Sequence, residues 1–229
     1  MKVCAISDLH GYLDFNIDKS DILLICGDIV PLKIQNYHKP SKKWFTKDFM
    51  EWIDKQPVEE VFIVAGYHDW FIEHHRKEFE DILLGSKCHY LQDSGWTYTD
   101  NNGSSYLIWG SPWCHQFGNW SFMGYGDEGL LDLFRKMPEN VDILLTHDAS
   151  YGCNDEADDY QGHIGNKSLR KVVLEKNPRY QFTGHLHSVD HSPYLLGKTI
   201  VQPVSILSNS YLPTYEPTYY DIIAQDFPT

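Results

Sequence analysis

Five short polar clusters punctuate the sequence: Asp8-Leu9-His10-Gly11, Gly27-Asp28, Gly66-Tyr67-His68-Asp69, Thr146-His147-Asp148 and Gly184-His185-Leu186-His187. Carboxylates and imidazoles without a thiolate pair form the donor set that suits borderline to hard divalent ions such as Mn, Fe, Zn or Ni. Two such ions are expected. Taken singly, each cluster has a plainer reading: Asp8 and His10 as a turn or helix cap, His147 as a hydrogen-bonded histidine at a strand end. Gly184-His185-Leu186-His187 is more specific, because alternate residues leaving a strand point the same way, and two imidazoles there share a metal or a buried acid.

What sets the plainer readings aside is placement. The clusters directly follow the apolar runs Lys2 to Ser7, Asp21 to Cys26, Glu60 to Ala65, Val141 to Thr146 and Tyr180 to Thr183. Further runs lie at Tyr106 to Trp109 and Thr199 to Leu207. Short and continuously apolar, they predict buried strands. In an open α/β sheet the carboxyl ends of the strands share one edge, so residues far apart in sequence converge there. Between the runs, Phe45, Phe49, Trp52 and Ile53 form one helical stripe that stops near Pro57. Leu130, Leu131, Phe134 and Met137 ahead of Pro138, and Leu169, Val172 and Val173 ahead of Asn177-Pro178, predict two more helices. Asn102-Gly103 divides Asp93 to Trp109 into a hairpin. The segment 151–167 is too polar for a core, and the Tyr- and Pro-rich tail 208–229 reads as a strap over the domain.

A chain of 229 residues with 42% hydrophobic content is long enough for a full core, and a single domain over 1–229 is expected. Nineteen Lys and Arg against 32 Asp and Glu leave a net charge of −13. With no basic stripe on that acidic background, tight nonspecific nucleic-acid binding is disfavoured. No apolar stretch reaches the ~20 residues that span a bilayer, and the opening MKVCAIS meets Asp8 before a signal-peptide core can form. The cysteines form no C-x-x-C pair, and Cys4 and Cys26 lie inside apolar runs. The expectation is a soluble cytoplasmic protein without a membrane partner.

The ordered series D-x-H, G-D, G-x-H-D, a strand-end His and G-H-x-H resembles the calcineurin-like metallophosphoesterase family from Asp8 to His187. Tyr106-Leu-Ile-Trp-Gly-Ser-Pro-Trp113 and Gly184-His-Leu-His187 are further similar to its small single-domain phosphodiesterase branch. The resemblance implies a four-layer α/β/β/α sandwich, two mixed sheets flanked by helices. Carried over residue by residue, it implies one metal on Asp8, His10 and His187, a second on His147 and His185, and Asp28 bridging the two, with manganese favoured. A single carboxylate has two oxygens and can span ions ~3.5–4 Å apart. His68 is then no ligand: it faces the phosphate, stabilising developing charge or protonating the leaving oxygen, while Asp69 holds its ring by a hydrogen bond. The implied reaction is hydrolysis of a phosphate ester by metal-activated hydroxide attacking in line.

One position departs from the family's G-N-H-D/E: Tyr67 stands where a metal-binding carboxamide is usual. A phenol must lose a proton with an ordinary pKa near ~10 before it ligates well, and its ring carries the oxygen farther from the backbone. Three outcomes follow: weakened second-metal binding with residual activity, Tyr67 bound as a phenolate, or a site adapted to another occupancy or a non-catalytic role. The first is expected, because the other ligands and His68 are present.

The segment 111–125, SPWCHQFGNWSFMGY, interleaves aromatics with glycine. It reads either as a packed loop or as a pocket wall on which Trp113 or Phe117 stacks a base or aryl leaving group. Such a wall suits a small phosphodiester or a nucleotide. Tyr12, Asn36 or the segment 151–167 are candidates to close it, and His115 and His163 to flank it; the remaining histidines are expected on the surface. Two other readings compete: a binding or scaffold module whose catalysis has lapsed, favoured by Tyr67 and opposed by His68, and a zinc hydrolase acting on a non-phosphate ester.

Overall fold

A computed structural model describes residues 1–156 and 162–224; residues 157–161 of the polar segment 151–167, and residues 225–229 of the tail, lie outside the described residues. The first three apolar runs are strands β1 (Lys2–Ile6), β2 (Ile22–Cys26) and β3 (Glu60–Val64), all parallel. Strand β4 (Cys88–Tyr90) extends them in parallel. The helical stripe begins earlier than expected: α1 (His38–Trp44), a π-helical turn (Phe45–Phe49) and α2 (Met50–Lys55) run without a break. Helices α3 (Trp70–His74) and α4 (Arg76–Leu83) follow β3.

The hairpin is β5 (Ser94–Thr99) and β6 (Ser105–Ser111). Its loop spans 100–104, with Asp100 Oδ1 accepting the N–H groups of Asn102 and Ser104 and Gly103 at φ +82°. A short parallel pair, β7 (Cys114–His115) and β8 (Met123–Gly124), frames the aromatic segment ahead of α5 (Gly126–Phe134). Then come β9 (Ile143–Thr146), α6 (Lys167–Lys176), β10 (Tyr180–Thr183), β11 (Tyr194–Leu196) and β12 (Thr199–Pro203). Helix α6 starts where Asn166 Oδ1 accepts Leu169 N–H at 3.0 Å and stops at Asn177, left-handed at φ 49° ahead of Pro178. In the tail, β13 (Thr218–Asp221) pairs antiparallel with β1.

One sheet therefore runs β13-β1-β2-β3-β4 and the other β11-β12-β10-β9-β6-β5, each mixed through its antiparallel edges. Side chains alternate along a strand, and because both faces of β1, β2 and β3 are covered their positions are apolar apart from Lys2 and Glu60 at the strand starts. Cys4, Ile6, Leu23, Ile25, Val61 and Ile63 face Phe45, Phe49, Ile53, Phe71 and Phe79 of the first helical layer. Their alternates Val3, Ala5, Ile22, Leu24, Phe62 and Val64 meet Tyr98, Ile108, Ile143, Leu145 and Phe182 between the sheets. On the far side Leu144 and Val201 lie under Leu130, Phe134, Leu169, Val172 and Val173 of α5 and α6. These three apolar layers make the α/β/β/α sandwich.

Parallel register sets the site. Ile6 pairs with Ile25 and Cys26 with Val64, so β1, β2 and β3 end on one edge; Thr146 pairs with Thr183, so β9 and β10 end together. The two edges are joined where Ser7 bridges Ser205. The five cysteines are free and buried, and no helix among the described residues is long and apolar enough to cross a membrane. Replacing Phe182, fully buried between the sheets, with Ala is expected to cost about 3–5 kcal/mol in urea unfolding. Leu195→Ala on the outer strand β11, at a residue 68% exposed, stays within about 0.5 kcal/mol.

Candidate metal centre

The backbone at the shared edge is unusual. Asp8, His10, Asp28 and His185 are all left-handed, at φ 57°, 43°, 53° and 69°. Each such residue costs about 1–2 kcal/mol, and strain gathered on donor residues marks a functional site. It is held by hydrogen bonds between strand ends, Asp8 N–H to Gly27 O at 3.0 Å and His10 N–H to Asp28 O at 2.9 Å. Two glycines let the strand ends close. A Cβ at Gly66 would stand 2.1 Å from Asp28 Oδ1, and one at Gly184 would stand 2.0 Å from Ser7 Oγ.

This backbone brings together Asp8, His10, Asp28, His147 and His187. Two groups of donor atoms, Asp8 with His10 and His187 and Asp8 with Asp28 and His147, each fall within 4.8 Å, and a third joins His10, Asp28 and His68. His147 Nδ1 donates to Cys26 O at 2.7 Å and His187 Nδ1 to Ser208 O at 2.9 Å, which turns the Nε2 atoms inward. His147 Nε2 lies 3.4 Å from Asp28 Oδ2, His187 Nε2 3.4 Å from Asp8 Oδ1, and His10 Nε2 3.8 Å from Asp28 Oδ2. Asp8 Oδ1 also accepts His185 N–H at 3.1 Å, and Asp28 Oδ1 accepts His68 N–H at 2.9 Å.

The remaining atoms test whether divalent ions fit. Asp8 Oδ2, Asp28 Oδ2 and His147 Nε2 are buried and have no hydrogen-bond partner among the described residues. Leaving two such carboxylates uncompensated costs several kcal/mol per ion. Burial opposes ionisation of Asp8, yet the charges of His187 and His147 hold it down at about 2. Asp28, against the same burial, is held far below its usual range by His147, His68 and His10. Burial disfavours charge on His147, but Asp28 and Asp8 outweigh it and push it up to about 10. His10 and His185 are lowered by burial to about 4 and present neutral imidazoles at neutral pH. Buried acids with imidazole donors around them fit divalent cations.

His185 stands apart from these groups: its ring centroid is 5.6 Å from that of His147, and its Nδ1 is buried without a partner among the described residues. Against it packs Tyr67, at 4.9 Å, whose ring also meets His68 at 4.2 Å, Phe117 at 5.3 Å, His147 at 5.4 Å and Trp120 at 5.6 Å. Burial, then Asp28 and Asp8, raises the Tyr67 phenol far above its usual range. On the opposite side Tyr211 packs on His10 at 4.9 Å and His187 at 5.4 Å. Burial, then Asp28 and Asp8, raises its phenol too.

Several expectations are corrected. Asp69 does not hold the His68 ring. Its carboxylate accepts the N–H groups of Ile29 at 3.0 Å, Val30 at 3.1 Å and Gly66 at 2.8 Å, and so ties the end of β2 to the end of β3. The ring is held instead by Gln35, whose Oε1 accepts from Nδ1. Asn36, expected to close the pocket, is exposed beside it, and Tyr12 stacks on Phe15. Trp113 is not the ring beside the centre: its N–H is spent on Asp93 Oδ2 at 2.8 Å and its ring packs on Phe122. With Trp70 and Trp120 it lines a cavity of about 650 Å³. Trp120 takes the nearer place, 4.9 Å from His68, and Phe117, 46% exposed, sits 5.2 Å from His185.

His115 does flank the site, pairing Asp148 at 2.9 Å with its ring 6.4 Å from His185, whereas His163 pairs Asp155 and meets Tyr151 edge-on. His38 and His75 share Glu78 on the surface with Lys42, whose ammonium is 2.6 Å away, and His89 pairs Glu60. That surface group is a satisfied ion-pair network. Adding Mn to chelator-treated protein is expected to raise the thermal midpoint, by an amount worth about 2.7 kcal/mol at 100 times the dissociation constant. Asp28→Asn, which weakens the carboxylate common to two donor groups, should abolish that rise.

Residues 1–189 match the family model for calcineurin-like phosphoesterase. Metallophosphoesterase domain-containing protein 1 of Homo sapiens is 27% identical over 243 residues, covering 96% of this chain and 70% of its own length. Among solved structures, TT1561 of Thermus thermophilus has a TM-score of 0.60 at 14% identity, covering 88% of each chain. Phosphopantetheinyl hydrolase from Mycobacterium tuberculosis has a TM-score of 0.57 at 12% identity, covering 92% of this chain and 90% of its own. At such identities these two share the fold. Because the match runs through every strand end that carries a donor, from Asp8 to His187, the chain belongs to the calcineurin-like phosphoesterase family, a family of metal-dependent phosphoesterases.

Proposed function

We propose that this chain hydrolyses a small phosphodiester, or a nucleotide phosphomonoester, with two divalent ions, manganese favoured. Asp8, His10 and His187 hold one ion, His147 and His185 the other, and Asp28 is shared. The observation that carries this reading is Asp28 Oδ2: buried, without a hydrogen bond among the described residues, and 3.4, 3.8 and 3.9 Å from the Nε2 atoms of His147, His10 and His68. When bound, the ions lower the pKa of the attacking water and counter charge on the phosphoryl oxygens.

The chain's own residues do the rest. With His68 Nδ1 donating to Gln35, its Nε2 faces the centre, and in the imidazolium form, which burial disfavours, that nitrogen gives a proton to the leaving oxygen. Asp69 keeps the two loops in place through its backbone hydrogen bonds. Phe117 and Trp120 offer planar surfaces to an aryl or base-bearing group. Five buried, unpaired thiols support a reducing compartment such as the cytoplasm.

The packing of Tyr67 among aromatic and imidazole rings supports its role as a wall, with weakened binding of the second ion as the result. The position of His185, outside the tight donor groups, agrees. The same two features favour the second reading, a binding module whose catalysis has lapsed; against it stand the strained donors and the retained contact between His68 and Gln35.

The test is Mn-stimulated release of nitrophenolate from bis- and mono-p-nitrophenyl phosphate. Tyr67→Asn is expected to raise the apparent affinity for the second ion about 10–100-fold and increase turnover. His68→Ala is expected to lower kcat about 10²–10⁴-fold. No metal-stimulated release from either the unaltered chain or Tyr67→Asn, with less than one ion per chain by elemental analysis, would leave the binding module.

A further inference from the structure

The family match stops at residue 189, yet the centre is finished by residues beyond it. Ser208 O accepts both His187 Nδ1 at 2.9 Å and Tyr211 N–H at 2.8 Å, so one carbonyl fixes the imidazole and the turn that carries Tyr211. The turn is clipped in place by Asn209, which accepts Ser188 N–H at 3.2 Å and donates its own N–H to Ser188 Oγ at 3.0 Å. It delivers the Tyr211 ring nearly perpendicular to His10 and His187, at 88° and 87°. Tyr67 stands in the same relation to His185, at 89°. One tyrosine thus covers each proposed ion position.

Tyr211 is an odd residue for this turn. Its φ of 58° lies where glycine or asparagine is comfortable and a bulky ring is an outlier. Burial does not explain it, since the residue is 43% exposed, and its hydroxyl has no hydrogen-bond partner among the described residues. The ring that carries that hydroxyl nonetheless packs 4.9 Å from His10 and 5.4 Å from His187, two of the residues proposed to hold an ion. A phosphate ester approaching two carboxylates is repelled by them, and a neutral O–H offers its oxygens a donor without adding charge to the centre.

We propose that Tyr211 is a substrate-binding residue of this centre, its phenol O–H donating a hydrogen bond to a non-bridging oxygen of the phosphoryl group. The inference rests on the phosphoesterase reading above. It assigns a recognition role to the segment 208–212, outside the matched region.

The test compares Tyr211→Phe, which keeps ring and turn and loses the hydroxyl, with Tyr211→Asn, which suits the left-handed turn and loses the ring. Binding of inorganic phosphate to the Mn-loaded protein is measured by calorimetry, beside KM and kcat for bis-p-nitrophenyl phosphate, metal content and thermal midpoint. Both variants are expected to weaken phosphate binding about 10-fold. Tyr211→Phe should raise KM by a similar factor with metal content unchanged, and Tyr211→Asn should not lower the thermal midpoint. Unchanged phosphate affinity and KM in Tyr211→Phe would overturn the proposal. So would a lower midpoint in Tyr211→Asn with phosphate affinity intact, which would make Tyr211 a packing residue. Phosphate binding judges Tyr211 without turnover, so an unaltered protein that binds phosphate but releases no nitrophenolate overturns the phosphoesterase reading alone; one that binds no phosphate overturns both.

Discussion

Two carboxylates with no exposed surface, Asp8 and Asp28, stand at the seam between two sheets, and most of the architecture around them answers the cost of putting charge there. One oxygen of each is occupied by a backbone N–H from a distant strand end, Asp8 by that of His185 and Asp28 by that of His68. The other oxygen of each has no hydrogen-bond partner among the described residues, and that of Asp28 faces the Nε2 atoms of His147, His10 and His68. In a low-dielectric interior such an arrangement is stable only when positive charge occupies its middle, whether as protons on His147 and His187 or as cations in their place. The protein stores this unfavourable geometry in left-handed backbone at four donors, which strand-end hydrogen bonds keep from relaxing.

Support for the donors comes mostly from groups that carry no charge. Cys26 O and Ser208 O set the orientation of His147 and His187, and Gln35 sets that of His68. An amide partner orients an imidazole without adding a further carboxylate to a region that already holds two. Asp69, the acid next in sequence to His68, is diverted to bind three backbone N–H groups, which makes it a brace between loops.

The candidate donors are legible in the sequence because strand ends punctuate continuous apolar runs, and the alternation of Val3 and Ala5 against Cys4 and Ile6 makes both faces of such a strand apolar. The α/β/β/α layering agrees with the same runs and with the stripes of Phe45, Phe49 and Ile53 and of Leu169, Val172 and Val173. What is not legible depends on through-space placement. A carbonyl such as that of Ser208 carries no side-chain signature. Strand β13 is short, with aromatic Tyr219 and Tyr220 where an aliphatic run would have marked it, so from sequence the segment that pairs with β1 reads only as a strap. Gln35 lies in a loop whose path across the site depends on the turn after Val30, and the exchange of Trp113 for Trp120 depends on Asp93 capturing one indole N–H.

The distance along the chain between partners has a consequence for how the molecule assembles. His10 and His187 meet at 3.4 Å although 177 residues separate them, and the carbonyl that orients His187 belongs to Ser208. Loop closure over such spans is slow and entropically costly, so these contacts form late. A nascent chain emerging from the ribosome has no complete cage to offer, and a cation can be captured only once the segment through Ser208 has been made and both sheets have docked. Metallation therefore follows the docking of the two sheets.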